Sequence, residues 1–239
     1  MKNYFLTIDT ETTQDGLVAD FAAVITDKKG NIVNQCAVMV AGVYDDETDH
    51  PLFHIHGDAG DLWSKAGLPK RYDRYNRMLA NGTRMLASVP AVNAWLAKAR
   101  IAYNPYLTAY NLAFDLDKCE NTAIDLTIFE RRFCLWQAAF AAWGTSKRYR
   151  QFVLDTHAFN APTGQRNMSY KTNAETMARF VLGNPELEDE PHTALEDVID
   201  YEIPILNALL KRSSVRKIVD SCEPYNWHKT QVKDWFTAK

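Results

Sequence analysis

Residues 4–40 read YFLTIDTETTQDGLVADFAAVITDKKGNIVNQCAVMV, and the reading of this stretch decides the fold. Tyr4-Phe5-Leu6-Thr7-Ile8 is a short apolar run rich in β-forming residues, the pattern of a buried strand. Leu17 to Thr26 and Asn31 to Val40 are two more strand-like runs, joined by Asp27-Lys28-Lys29-Gly30, a good tight-turn sequence. Three strands in such close succession predict an antiparallel meander.

Beyond residue 40 the pattern alternates. Ala87 to Arg100 reads as a helix and Tyr106 to Tyr110 as a strand. Phe133 to Trp143 reads as an apolar helix and Phe152 to Asp155 as a short strand. Asn173 to Leu182 is helical with Gly183 in the stop position. His192 to Leu210 is a long helical pattern that Pro204 should kink or interrupt. The order predicts an α/β fold: a mixed sheet, antiparallel in its first three strands and parallel afterwards, with helices on both faces. Two segments look added to this plan. Ala41 to about Thr83 is an insertion, polar and acidic at first and then basic. From Ser213 onward, with Trp227, His228 and Trp235, the chain reads as an extension packed on the domain formed by residues 1–212.

At 239 residues and 46% hydrophobic, the chain can build one large core. No apolar run reaches the 18 residues that would suggest a membrane span, and the first residues lack the apolar stretch of a signal peptide. Cys36, Cys119, Cys134 and Cys222 are widely spaced, as expected of reduced thiols in a cytoplasmic protein. The net charge of −3 argues against a nucleic-acid partner until its distribution is considered. Lys70 to Arg84 carries five basic residues against one acid, and Arg131 to Arg150 carries five against none. Such segregation permits a nucleic-acid partner without establishing one.

Three pieces carry candidate chemistry. Asp9 and Glu11, two apart after the first apolar run, share a face of a strand, where paired carboxylates repel unless hard divalent cations join them. An exposed turn is the simpler reading of that piece alone. Asn111-Leu112-Ala113-Phe114-Asp115 follows a short strand and presents Asp115 near a helix start, where capping would also suit it. His192 opens the long late helix five residues before Asp197, with Glu196 and Asp200 close by; periodicity does not say which acid faces a site. Phe114 reads as a core residue. His50, His54 and His56 sit among Asp45, Asp46, Asp49 and Asp58, most simply as a solvated loop near the cleft, with a zinc ion as the alternative.

In their order and joint occurrence these motifs resemble those of the DEDDh 3′–5′ exonucleases, a ribonuclease H-like family that includes proofreading domains and oligoribonucleases. Asp9/Glu11, Asn111 to Asp115 and His192/Asp197 carry the likeness, and Leu154-Asp155-Thr156 looks like the family's Asp-Thr at the end of a later strand. The likeness spans roughly Tyr4 to Leu210. The histidine branch places its base five residues before the last aspartate, where His192 stands; the tyrosine branch would need it at Thr193. Gln14 stands where the family often has glycine.

The resemblance implies two Mg2+ or Mn2+ ions about 3.5–4 Å apart. Asp9 would bridge both, Glu11 and Asp197 would hold the ion of the attacking water, and Asp115 would serve the ion beside the leaving oxygen. His192 would be the general base. Thr10, Thr12 and Asn111 are expected to contact the terminal nucleotide. The implied activity is 3′–5′ exonucleolytic hydrolysis, with single-stranded DNA the favoured partner. Short RNA is the alternative substrate, and a catalytically silent nucleic-acid-binding relative is the more distant one.

Overall fold

The computed structural model describes residues 3–56, 61–160, 168–224 and 226–232. β1 (Tyr4–Thr12), β2 (Val18–Asp27) and β3 (Ile32–Val40) form the expected antiparallel meander. At the β2–β3 turn, Asp27 Oδ1 accepts the backbone N–H groups of Lys29 and Asn31 at 2.7 and 3.0 Å, and Gly30 has φ +84°. A Cβ on Gly30 would fall 2.2 Å from Asn207 Nδ2, so the turn needs glycine for its conformation and for its close approach to a helix.

The insertion contributes α1 (Leu68–Ala80), and β4 (Met85–Ala87) then pairs in parallel with β3. After α2 (Val89–Tyr103), β5 (Tyr106–Thr108) runs parallel to β1. The sheet is therefore mixed, in the order β4-β3-β2-β1-β5. Beyond α3 (Leu112–Asn121) the chain passes along the outer edge of β5, parallel to it. Leu107 N–H donates to Arg131 O, Phe133 N–H to Leu107 O and Leu135 N–H to Ala109 O, at 2.9, 3.1 and 3.0 Å.

α4 (Leu135–Ala139) continues into a π-helical turn, Phe140–Gly144, and α5 (Lys147–Thr156) follows. The strand expected over Phe152 to Asp155 is thus the end of a helix. Ser146 caps that helix, its Oγ accepting the Tyr149 N–H at 3.1 Å, and Tyr149 and Val153, four apart, bury one side of it. A short apolar run fits either geometry, and the helical spacing decides it. The likeness of Leu154-Asp155-Thr156 to a strand-end motif fails with it: Asp155 is exposed and accepts from Gln151 Nε2 at 2.8 Å.

β6 (Phe159–Asn160) and β7 (Ser169–Tyr170) pair as a small ribbon, and α6 (Ala174–Leu182) ends on Gly183 at φ +64°. α7 (Ala194–Asp197), a π-helical turn (Val198–Glu202) and α8 (Ile203–Arg212) follow without a break. Pro204 therefore does not stop this helix. Its ring would meet the carbonyl four residues back in a regular α-turn, and the wider turn lies there. α9 (Val215–Asp220) and a 3₁₀ turn (Trp227–Thr230) complete the described chain.

Strand alternation sorts the core between the two faces of the sheet. Leu6, Ile8, Phe21, Ala23 and Ile25 pack with Val92, Leu96, Leu112 and Cys119 of α2 and α3. Phe5 packs with residues of α4, α6 and α8, and Ala22 and Val24 pack with Ala194, Val198 and Ile203. Helices therefore cover both faces. The C-terminal extension joins the second face through Val215, Ile218 and Val232, and Tyr170 OH donates to Lys229 O at 3.0 Å. Trp235 lies outside the described residues. Among those residues, no helix is long and apolar enough to cross a membrane.

Candidate metal centre

Asp9 and Glu11 point to the face of the sheet that carries α7, because they alternate with Ile8 and Thr10 on β1. Cross-strand pairing sets Asp20 directly opposite Glu11 on that face. Asp20 is fully buried and is neutralised by a structural role: Arg84 Nε lies 3.3 Å from its Oδ1, and its Oδ2 accepts the Ala194 N–H at 2.9 Å. Arg84 also reaches Glu196 Oε2 at 2.5 Å. This triad ties the start of α7 to β2 and turns Glu196 away, which leaves Asp197 to face the cleft.

The cleft holds about 390 Å³ and is lined by Asp9, Glu11, Asn111, His192 and Asp197, together with two further acids, Glu190 and Glu202. Glu11, His192 and Asp197 each offer one donor atom within 4.8 Å of the others. Asp9 shares the cleft but stands outside that tight set. Asp115, 2% exposed in the first turn of α3, is not among the residues lining the cleft and accepts the Thr10 hydroxyl at 2.9 Å. The Thr10 side chain is thereby committed to a carboxylate. Asn111 precedes α3 at φ +79°, a left-handed conformation that asparagine tolerates, and its side chain does not cap the helix.

These acids disfavour one another's ionisation. Burial, followed by the charge of Asp20, pushes the Asp9 carboxyl up to about 7. Burial and then Asp9 push Asp197 up to about 10. Glu11 and Asp115 are raised well above the usual carboxylate range, by burial first and by Asp9 second. Asp197 Oδ2 accepts the Thr193 N–H at 3.0 Å, but its Oδ1 is buried without a partner. Glu202 Oε2 is orphaned in the same way. An all-oxygen set of mutually repelling carboxylates with unfilled lone pairs fits hard divalent cations, which would restore the ionised forms.

His192 has φ +54° and packs its ring edge-on to Trp63, with centroids 4.4 Å apart. Burial, and then the charges of Arg71 and Arg74, lower it to about 4, so its imidazole is neutral at physiological pH. All three neighbours come from the insertion. Arg71 lies 3.5 Å from Glu11 Oε2, with its guanidinium 4.9 Å from the Trp63 ring centroid. Arg74 donates to Pro191 O, and Tyr75 OH donates to His192 O at 3.3 Å. The segment that reads as an addition thus braces His192 and Glu11.

A second cleft of about 380 Å³ adjoins the first, lined by Thr12, Gln14, Phe53, Trp63, Phe114 and Lys118 among others. The core assignment of Phe114 is overturned, since it is 42% exposed. Leu112, Asp115 and Cys119 form the buried side of α3, and Phe114 lies off that stripe. The basic run from Lys70 to Arg84 is not a plain solvated face either, because Arg71 and Arg84 are buried. His50 Nδ1 lies 2.8 Å from Asp15 Oδ2, and His54 Nδ1 lies 3.3 Å from Leu52 O. Among the described residues these histidines join no converging set of three ligands; Asp58 lies outside them.

Sequence reasoning missed Glu190 and Glu202. In an α-helix a residue five positions past Asp197 would lie about 140° around the axis. The intervening π turn returns Glu202 to the same cleft. Pro204, which disfavours a regular turn just there, was the available signal. Comparison with models of known protein families gives no match, and comparison with curated proteins gives none either.

Proposed function

We propose that this chain is a two-metal-ion phosphodiesterase, a 3′–5′ exonuclease of the DEDDh kind acting on nucleic acid, with single-stranded DNA as the favoured substrate. The observation that carries the reading is the gathering of Asp9, Glu11 and Asp197 with a neutral histidine around one cleft, with Asp115 buried and its carboxyl raised by the charge of Asp9. The sheet supports it as well: an antiparallel meander with β5 parallel to β1 is what a ribonuclease H-like chain would need.

When bound, paired divalent cations supply charge neutralisation at the attacking and leaving oxygens of the phosphodiester. The protein's own groups do the rest. Asp9, Glu11, Asp115 and Asp197 would hold the cations. The His192 imidazole, braced by Trp63, takes the proton of the attacking water. Trp63 and Arg71 back His192 and Glu11 from the insertion side, Arg71 3.5 Å from Glu11 Oε2 and stacked on Trp63. The adjoining cleft, with Phe114 at its surface, offers an aromatic platform for a terminal base, and Thr12 lies within its lining.

The test uses 5′-labelled single-stranded DNA, duplex DNA and short RNA, with Mn2+ or Mg2+ and an Asp9→Ala control. A ladder growing from the 3′ end that the control lacks is the expected result, strongest on single-stranded DNA. A ladder on RNA alone would move the substrate to the alternative. Internal cutting, binding without cleavage, or activity surviving in the control would refute the proposal.

A further inference from the structure

Asp9, Glu11, Glu190, Asp197 and Glu202 line the cleft and the buried Asp115 feels the charge of Asp9, so the acids number two more than the four that the motifs supply. Of the two, Glu202 has the more unusual surroundings. Its residue is 3% exposed, and its Oε1 accepts the Tyr110 N–H at 3.0 Å. The residue lines the cleft, and its Oε2 is buried with no hydrogen-bond partner. Among the described residues no basic side chain forms an ion pair with it. Accepting one amide hydrogen does not require a charge; a glutamine carbonyl would serve. A buried carboxylate with a free oxygen and no counter-charge is costly unless a cation completes it.

Its position selects which cation. Tyr110 precedes Asn111, so the hydrogen bond holds Glu202 at the corner between β5 and α3, the helix that carries Asp115. The acids do not all stand together. Glu11 and Asp197 converge within 4.8 Å on one side, with the base His192 beside them. Glu202 lies apart from that set: it shares the cleft lining with Asp9 and is tied to the backbone at the entry to α3, and burial, then Asp9, then Asp115 raise its carboxyl.

We propose that Glu202 is a fifth carboxylate of the metal centre, its Oε2 ligating the cation held by Asp9 and Asp115. This rests on the two-ion reading above. The π turn is what makes it possible, since it brings residues 197 and 202 of one helix to the same cleft.

The test is Mn2+ binding by the full chain, without substrate, followed by electron paramagnetic resonance and calorimetry. The wild type should take up two ions. Glu202→Gln should keep one at wild-type affinity and bind the other about 10- to 100-fold more weakly. Asp115→Asn should weaken that same ion, and Asp197→Asn the opposite one. In EDTA, Glu202→Gln should melt at or above the wild-type temperature, because the amide still accepts from Tyr110 and a buried charge is gone. Should that variant fail to fold, Glu202→Asp, which keeps the charge but shortens the reach, should show the same selective weakening. Two ions bound with unchanged affinities in the variant would overturn the role of Glu202 and leave the two-ion reading standing. Equal weakening of both ions would also overturn it. No Mn2+ uptake by the wild type would overturn the two-ion reading itself.

Discussion

Replacing Arg84 with methionine should destabilise the protein severely. The Arg84 and Asp20 side chains are both wholly inaccessible, whereas Glu196 is 32% exposed and can regain water. The variant loses the 3.3 Å contact to Asp20, the 2.5 Å contact to Glu196 and the 3.1 Å hydrogen bond to Thr83 O. Asp20 keeps only the Ala194 N–H. Breaking a buried pair from one side costs about 3–5 kcal/mol, because the remaining charge is uncompensated. For a chain of this size each kcal/mol moves Tm by about 2–4 °C, so the loss should be roughly 6–20 °C.

The cost should depend on pH. Burial already raises the Asp20 carboxyl in the wild type even with Arg84 beside it, and loss of that cation raises it further. A carboxyl whose folded-state pKa exceeds its unfolded value takes up a proton on folding, so stability rises as pH falls toward the unfolded value. The deficit of Arg84→Met should therefore shrink between pH 8 and pH 5.5. The double variant Asp20→Asn/Arg84→Met, with no charge left buried, should recover much of the loss. Urea unfolding followed by circular dichroism measures all of this. A single variant within about 1 kcal/mol of wild type, or a double variant no better than the single, would refute the reasoning.

Two other outcomes follow from the cleft. In EDTA the protein should gain stability as pH falls from 8 to 6, by about 1 kcal/mol or more per unit, because Asp9 at about 7 and Asp197 at about 10 both take up protons on folding. Saturating Mn2+ should flatten or reverse that slope, since cations need ionised ligands; parallel melting curves with and without the ion would contradict the cation site. His192→Ala should slow turnover by about 10²–10⁴-fold while leaving oligonucleotide and Mn2+ affinity within a few-fold. A full-speed variant would remove the histidine from the proton-transfer step.

The strands of the meander were legible because each is a long β-rich run bounded by a turn, and Asp9 and Glu11 were legible because a two-residue period fixes their shared face. Phe152 to Asp155 was misread because four apolar-rich residues fit a strand as well as a helix end; Ser146, six residues earlier, held the deciding information as a cap. Phe114 was misplaced because a phenylalanine beside a leucine does not reveal which of them follows the buried stripe. Glu202 was invisible because helical arithmetic assumes a constant pitch, which the π turn breaks. Trp63 and Arg71 were invisible for another reason. Their partners stand far along the chain, and no local pattern encodes a contact that distant.

That distance has a consequence for assembly. Arg74 and Tyr75 meet the backbone of Pro191 and His192 across 117 residues of chain, and Thr10 meets Asp115 across 105. Contacts of this span form late, since a long loop must close before they give any return. On a chain emerging from the ribosome, the meander can pair early, but its acidic rim stays exposed to water until residue 192 has been made and has met α1. The half-made protein is then a sheet with a row of carboxylates and no pocket, and the last long helix to arrive turns it into a chamber.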